Sequence, residues 1–371
     1  MTVISVIMVF GIVLGFFLGI LLLSLRNRNE TANRFLGIIM IVSSICVSGF
    51  GLTKFELYWE MPHLLGIAST MIFLLGPLFF FYVKALTLNN FAMSSKMYLH
   101  FIPFFLLILY LLPFYFQNSQ NKLLQYSSDS FSFQHKIIII IQVIHAFIYI
   151  FFVRKLVKQH AERIKNSMSS IEKINLDWIK NAINLFIIII TSVALFKALG
   201  FLGIKMHNIS SDFIPVAISF TIVALGFIGL RQPIIFPPEK EVSNSKKYEK
   251  STLTEEQADS YIEELHNLMR NEKPYLKSDL TLQKLSEYLS ISQHHLSQII
   301  NEKMNQNFFD FINSFRVEEA KQLLVSPEGE PLKILAIAEE AGFNSKSSFN
   351  SAFKKHTGKT PTQFKQENLS K

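Results

Sequence analysis

Few side chains in this sequence combine a chemically active type with a useful spacing. His294 and His295 are adjacent. Neighbouring positions on a helix point in different directions, so this pair is unsuited to a metal that needs three or four converging ligands. The single cysteine, Cys46, lies in an apolar stretch and can form no disulfide within the chain. The sequence has no glycine-rich phosphate loop, and its seven long apolar segments contain no Asp or Glu. We therefore expect no catalytic residue, no metal and no cofactor, and we predict that the protein is not an enzyme.

Two polar residues interrupt one of the apolar stretches. Gln142 and His145 lie three positions apart within residues 137–153. Polar groups at membrane depth are costly and commonly face a cavity or a partner. The pair is therefore a candidate lining of a ligand pocket, and the alternative is a hydrogen bond between neighbouring helices.

The composition is that of a membrane protein. Of the 371 residues, 50% are hydrophobic and only 17% are charged, and the mean hydropathy is +0.30. Long apolar segments occupy residues 3–25, 35–52, 64–83, 99–116, 137–153, 178–204 and 213–230. A helix needs about 20 mostly apolar residues to cross the hydrocarbon core, and a soluble bundle would need a polar face on each helix. The sequence predicts an all-α fold that begins with a seven-helix transmembrane bundle, a sensor domain over residues 1–231.

Basic residues in the connecting loops predict the orientation of this bundle. With the N-terminus outside, the cytoplasmic loops hold twelve Lys and Arg and the opposite loops hold four. Loops rich in Lys and Arg stay in the cytoplasm. The first segment is followed by RNRNE rather than by a small-residue cleavage site, which indicates a retained anchor. We expect a multi-pass protein of the bacterial inner (plasma) membrane, with its N-terminus outside and its C-terminal end in the cytoplasm.

Small residues form a stripe on the first apolar segment. Gly11, Gly15 and Gly19 repeat every four residues and share one helix face. Such a stripe lets two helix backbones approach closely in lipid. It indicates either packing inside the bundle or a seam between two copies.

Residues 232–274 predict a linker and an amphipathic helix. Prolines and charged residues dominate the first part, which is typical of a linker. Thr254 and Gln257 have the spacing of a capping box, and apolar residues at helical spacing continue to about Arg270. Pro274 ends the helix, which is too acidic to contact nucleic acid and is suited to transmitting a signal or joining two copies.

Short amphipathic helices in pairs make up the remainder. Thr281 and Ser292 are suitable N-caps for the first pair, whose stretches are LTLQKLSEYL and HLSQIINE. A long helix follows over residues 307–325. The second pair repeats the pattern, with Gly342 at a turn that favours a left-handed backbone and Ser345 as the next N-cap. Each pair has the spacing of a helix-turn-helix.

Two helix-turn-helix units joined by one long helix resemble the AraC/XylS family of transcription regulators, and more closely its membrane-tethered type. The resemblance covers about residues 275–366 of a predicted DNA-binding domain of residues 275–371. It rests on FFDFINSFRVEEAKQLL, ILAIAEEAGFNSKSSFNSAFKK and the closing GKTP, together with the first pair. Family members usually have a glycine after the first recognition helix, whereas this chain has Met304 and Asn305. Asn tolerates a left-handed backbone, so we expect the turn to survive.

The resemblance implies that both recognition helices enter successive major grooves of double-stranded DNA. By position, the residues facing base edges would be His294, Ser297, Gln298, Lys346, Ser347, Asn350 and Ser351. The residues placed near phosphates would be Ser292, Ser345, Lys354 and Lys355. Gln and Asn can pair bidentately with adenine, and helix N-termini suit phosphate oxygens.

The charge distribution indicates which unit neutralises phosphates. The formal net charge is +9 before Arg231 and −1 from Arg231 onward, so the basic excess lies in the apolar half. Residues 280–303 sum to zero, whereas residues 333–371 sum to +4. We expect the second unit to carry most of the salt dependence of DNA binding.

The sequence therefore predicts a membrane-bound one-component transcription regulator that binds specific DNA under control of a small-molecule or envelope signal. The lipid bilayer is the second partner, and a homodimer is one assembly that the sequence leaves open. The signal would pass through residues 254–270 by dimer rearrangement, or alternatively by proteolytic release at residues 238–251. The competing interpretations are a membrane transporter or membrane enzyme with an appended regulatory DNA-binding domain, and a scaffold whose helical module binds protein.

Overall fold

The computed structural model describes residues 3–26, 29–88, 91–172, 174–201, 207–231, 253–326 and 333–369. Within these residues the regular structure is helical, and the only strand-like pairing is one isolated bridge. The all-α prediction is therefore confirmed. The chain divides into two compact units, one of residues 1–158 and 176–235 and one of residues 159–175 and 236–371.

The first unit is built from long apolar helices. Its helices are α1 Val3–Ser24, α2 Glu30–Lys54, α3 Ile67–Thr87, α4 Ile102–Tyr115, α5 Ser119–Tyr126, α6 Asp129–Lys165, α7 Asp177–Phe201 and α8 His207–Arg231. Seven segments of the described chain are long and apolar enough to cross a membrane, so the predicted number of long apolar helices is confirmed. Helix α6 continues well beyond the predicted apolar stretch of residues 137–153, and its last turns belong to the second compact unit.

The glycine stripe of α1 packs against other helices of the same chain. A Cβ added to Gly11 would lie 2.3 Å from the hydroxyl of Ser219 in α8. A Cβ at Gly19 would lie 2.9 Å from the carbonyl oxygen of Gly37 in α2, and one at Gly37 would lie 2.8 Å from that of Gly19. The backbones of α1 and α2 thus meet where neither helix has a side chain, as the packing interpretation predicts.

The second unit is a set of shorter amphipathic helices. They are α9 Glu255–Asn271, α10 Leu282–Tyr288, α11 Gln293–Gln298, α12 Phe308–Val325, α13 Ile334–Glu340, α14 Lys346–Thr357 and α15 Pro361–Leu369. Side-chain caps begin four of them as predicted. Thr254, Thr281, Ser292 and Ser345 each accept a hydrogen bond from the amide three residues later, at 3.1–3.2 Å.

Helix α12 belongs to two hydrophobic cores at once. Its first half supplies Phe308, Phe311 and Ile312 to a core with α9, α10 and α11. Its second half supplies Val317 and Ala320 to a core with α13 and α14. One straight element therefore fixes both helix pairs, because neither core can shift without α12.

Parts of the predicted domain plan lie outside the described residues or remain predictions. The linker of residues 232–252 is outside them. Helix α9 packs through Leu265 and Met269 into the core of the first helix pair. Residues 159–175, between α6 and α7 in sequence, also belong to this second unit. The functional limits at residues 231 and 275 remain predictions.

Candidate nucleic-acid interface

The first helix-turn-helix consists of α10, a tight turn and α11. The turn is closed by the amide of Ser290, which donates to the Glu287 carbonyl at 3.2 Å, and by the amide of Ile291, which donates to the Ser286 carbonyl at 3.1 Å. Ser290 has a φ of 51°, in the left-handed region. The turn therefore uses the backbone geometry that ends many helices, although its residue is not glycine.

The second helix-turn-helix repeats this geometry. The amide of Gly342 donates to the Glu339 carbonyl at 3.0 Å, and that of Phe343 donates to the Ala338 carbonyl at 2.9 Å. Gly342 has a φ of 87°, and a Cβ there would lie 2.6 Å from the carbonyl oxygen of Tyr275. Glycine is required at this position by its φ and by the close approach of another backbone.

The first recognition helix is α11 with a wider turn that extends it through residues 299–303. The amide of Met304 donates to the Ile299 carbonyl at 3.1 Å, five residues back, which closes this turn. Asn305 follows with a φ of 52°. The turn predicted to survive without glycine is therefore present, and Asn supplies its left-handed residue.

Two of the three base-facing candidates on this helix are partly exposed. His294 and Gln298 reach the surface, and the Gln298 amide nitrogen donates to a Glu302 carboxylate oxygen at 3.0 Å. Ser297 is only 3% exposed, and its hydroxyl accepts from Asn301 at 3.1 Å. Its side chain lies on the inner face of the helix, so Ser297 is not positioned to face base edges as predicted.

The second recognition helix, α14, presents its candidates to solvent. Lys346, Ser347 and Ser351 are exposed and Asn350 is half-buried. Their spacing places them on one face of the helix. The opposite face buries Phe349 and its neighbours in the core with α12.

The basic candidates differ in whether they are already paired. Lys354 is exposed and makes no ion pair with any described residue. Lys355 contacts Asp310 at 2.7 Å. Lys284, in the first unit, pairs with Asp279, and this contact holds the pKa of the Asp279 carboxyl below its ordinary value. Lys354 can bind a phosphate without breaking an ion pair, whereas Lys355 and Lys284 must first break theirs with Asp310 and Asp279.

The two polar residues predicted for a pocket line a cavity of about 1280 Å³ in the seven-helix unit. Gln142 is buried, and its amide nitrogen donates to the Ser69 carbonyl at 2.7 Å. The His145 ring packs edge-on against Phe73, with centroids 5.0 Å apart. Gln142 thus bridges two helices and also borders the cavity; that the cavity holds a ligand stays a prediction. Within the described residues no group of His, Cys, Asp and Glu is arranged to hold a metal ion.

No role was predicted from the sequence for Arg316, a buried charged residue. Arg316, in α12, is 1% exposed. It stands four residues after Ile312 and four before Ala320, on the inner stripe of the helix. A charged residue on an apolar stripe is a signal that the sequence does contain, since such a residue must find buried partners.

Comparison with known proteins agrees with this geometry. Residues 285–367 match a family described as a helix-turn-helix domain. With the doubled units and the shared helix α12, this defines a helix-turn-helix domain of the AraC type at the C-terminal end of the chain.

Individual relatives match over the same part of the chain. An HTH-type transcriptional regulator of Staphylococcus aureus (strain COL) is 37% identical over 91 residues, which are 24% of this chain and 12% of that relative. The Msm operon regulatory protein of Streptococcus mutans is 29% identical over 90 residues, which are 24% of this chain and 31% of that protein. The C-terminal domain of AraT, a response regulator from Geobacillus stearothermophilus, is 31% identical. That match covers 32% of this chain and 88% of the solved chain, with a TM-score of 0.24. The curated relatives are thus matched over a minor part of their length.

Proposed function

We propose that the protein is a membrane-bound one-component transcription regulator. The observation that carries this proposal is the solvent-facing polar side of α14, with Lys354 free of carboxylates, on the same chain as seven helices apolar enough to cross a bilayer. The named transcriptional regulators among the relatives support the DNA-binding part.

The DNA-binding surface would consist of both recognition helices. His294 and Gln298 from the first, with Lys346, Ser347, Asn350 and Ser351 from the second, would face base edges. The N-termini capped by Ser292 and Ser345 would bind phosphates together with Lys354 and Lys355. Helix α12 has 18 residues, which is about 27 Å of helix. That length is comparable to the roughly 34 Å between successive major grooves.

The membrane part would hold the chain at the inner membrane with its C-terminal end in the cytoplasm. The distribution of Lys and Arg supports this orientation. Reporter fusions test it: a fluorescent protein fused after Lys371 should fluoresce in the cytoplasm, and a periplasm-dependent phosphatase fused there should stay inactive. The reverse pair of results would overturn the proposal, because no chromosome is accessible outside.

Specific DNA binding is tested with the whole protein. Full-length protein in lipid nanodiscs is incubated with a pool of random duplexes, and bound duplexes are sequenced after several rounds. We expect enrichment of a site with two half-elements one helical turn apart. Uniform recovery of the pool would refute sequence-specific binding.

The cavity next to Gln142 and His145 is the proposed site of the signal molecule. Its wall is mainly apolar, which suits a lipophilic molecule that enters from the bilayer or its outer surface. Mass spectrometry of protein purified in mild detergent should detect such a molecule. The variant Ala146→Phe places a phenyl ring in the cavity beside His145 and should weaken retention of the molecule, whereas Ile144→Phe, at a 56% exposed position of the same helix, should leave it unchanged. Equal retention by both variants would exclude the cavity as the site.

A further inference from the structure

Residues 167–170, which connect α6 to α7 in sequence, form an antiparallel pairing inside the second compact unit. The amide of Ser169 donates to the Leu280 carbonyl at 3.2 Å, and the amide of Leu282 donates to the Ser167 carbonyl at 3.0 Å. Met168 and Thr281 stand opposite each other between these bonds. The segment therefore lies along the backbone that begins α10, the first helix of the first helix-turn-helix.

Arg316 ties this segment to the long helix α12. Its Nε donates to the Tyr275 carbonyl at 2.7 Å, and one Nη donates to the Lys277 carbonyl at 3.0 Å. The same guanidinium donates to the Ser169 carbonyl at 2.9 Å and to the Ser169 hydroxyl at 3.1 Å. Ser169 is itself 1% exposed, and its hydroxyl donates to the Leu280 carbonyl at 2.6 Å.

The charge of Arg316 depends on these oxygens. Burial lowers the pKa of Arg316 to about 10, an effect that the nearby Glu172 carboxylate partly offsets, and the guanidinium is therefore charged at neutral pH. A buried charge is stable only while hydrogen-bond acceptors surround it. Ser169 supplies two of those acceptors. Withdrawal of the segment would leave part of the guanidinium without hydrogen-bond acceptors. It would also admit water between α12 and the first helix-turn-helix.

The segment also contacts the second helix-turn-helix. The side-chain amide of Asn344 donates to the Ser170 hydroxyl at 2.7 Å. Asn344 immediately precedes Ser345, the N-cap of the second recognition helix. The neighbouring turn residue Gly342 lies against the Tyr275 carbonyl, the same carbonyl that accepts a hydrogen bond from Arg316. Residues 167–170 therefore contact three elements: the start of the first helix-turn-helix, the middle of α12 and the turn of the second helix-turn-helix.

We propose that residues 167–170 are a coupling segment through which helices α6 and α7 control the spacing of the two recognition helices. This inference rests on the proposed function. The docked segment leaves Lys346, Ser347 and Ser351 exposed, so it supports the DNA-binding arrangement and does not block it. A displacement of α6 or α7 withdraws the segment and breaks the hydrogen bonds between Arg316 and Ser169. The affinity of the protein for DNA with two half-elements then falls.

The test uses full-length protein in nanodiscs and a duplex enriched from the random pool. Ser169→Ala removes the hydroxyl that contacts both Leu280 and Arg316. Ser286→Ala is the matched control, since Ser286 is 4% exposed and its hydroxyl bonds only within its own helix. We expect Ser169→Ala to bind the duplex about tenfold more weakly and to speed hydrogen exchange at the Leu282 amide, and Ser286→Ala to match wild type in both.

A disulfide between residues 168 and 281 tests the opposite change, in which the segment is held in its docked position. Residues that face each other between the bonds of an antiparallel pair have Cα atoms about 4.5 Å apart, within the range that a disulfide spans. Met168→Cys and Thr281→Cys are introduced in a Cys46→Ala background. Oxidation should restore tight DNA binding to the Ser169→Ala protein, and reduction should remove the gain.

Several outcomes would overturn the inference. Rapid exchange of the Leu282 amide in wild type would show that the segment is not docked. Faster exchange in Ser169→Ala with unchanged DNA affinity would show docking without control. Failure of oxidation to restore affinity would have the same meaning. Failure of wild type to enrich any duplex is a separate result, which removes the proposed function and the inference with it.

Discussion

Ser290 and Gly342 occupy the same place in the two helix-turn-helix units. Both have a positive φ, 51° and 87°, and both amides donate to the carbonyl three residues back. A Cβ at Gly342 would lie against the backbone of Tyr275, whereas Ser290 is exposed. The two turns therefore share a conformation, but the first one carries a side chain in a region where side chains are disfavoured.

Replacing Ser290 with glycine should stabilise the second compact unit, which contains both helix-turn-helix units. A left-handed conformation costs a residue with a side chain roughly 1–2 kcal/mol, and part of that gain is lost because glycine has more freedom in the unfolded chain. We expect Ser290→Gly to raise the free energy of unfolding by about 0.5–1 kcal/mol. Pulse proteolysis of the full-length protein across a urea series measures this change.

Gly342→Ala is the comparison for that variant. Its Cβ would meet the Tyr275 carbonyl oxygen at 2.6 Å as well as the unfavourable φ. The urea midpoint should fall by an amount equivalent to at least about 1–2 kcal/mol. A lower midpoint for Ser290→Gly would contradict the account of the first turn.

Local signals predicted local structure well in this chain. The N-caps at Thr281, Ser292 and Ser345 follow from residue types that accept hydrogen bonds from free helix amides. The left-handed Asn305 follows from the tolerance of Asn for that conformation. The long apolar runs predicted the seven long apolar helices, but not the short α5 or the full length of α6, whose charged end keeps only the sparse apolar positions Val157 and Ile164.

Contacts between distant parts of the sequence were not predictable in the same way. Arg316 and Ser169 are 147 positions apart, and no periodic pattern relates them. Ser297 stands three residues before the buried Ile300, so helical spacing places it beside the inner stripe; its assignment to base edges came from the family resemblance. The Arg316 contact, by contrast, depends on how a distant segment is placed against α12, and single-sequence patterns do not encode that placement.

The α1–α2 contact predicts that bulk at Gly19 destabilises the seven-helix unit. A Cβ there meets the Ile41 side chain at 2.6 Å and the Gly37 carbonyl at 2.9 Å. Gly19→Val should lower the thermal midpoint in detergent, with a cost of roughly 1–3 kcal/mol for overpacking. Val13→Leu, at a 62% exposed position of the same helix, should have no effect. If the stripe served instead as a seam between two copies, light scattering would show loss of a dimer with an unchanged midpoint.

The pairing of the lysines predicts which one carries the salt dependence. Lys354 has no described carboxylate partner, whereas Lys284 is held by Asp279. Each phosphate contact contributes about 0.9 to the slope of log affinity against log salt. Lys354→Ala should reduce the slope by about that amount, and Lys284→Ala should leave it unchanged. Binding of the enriched duplex between 50 and 200 mM salt, about the range in which such slopes are resolved, decides between them. A loss of slope in Lys284→Ala alone would reverse the assignment of phosphate binding to the second unit.

Asn350 should determine a base preference, because it is the side chain on the exposed face of α14 that can pair bidentately with adenine. One good bidentate pair discriminates by about 1–3 kcal/mol. Asn350→Ala should therefore lose preference at one position of the enriched site and keep it elsewhere. Lys354→Ala serves as the control, since loss of a phosphate contact weakens all sequences equally. Repeating the random-duplex selection with both variants measures the difference. An unchanged site for Asn350→Ala would show that this residue faces solvent in the complex, and the base contacts of α14 would then fall to Lys346 and Ser347 at its first turn.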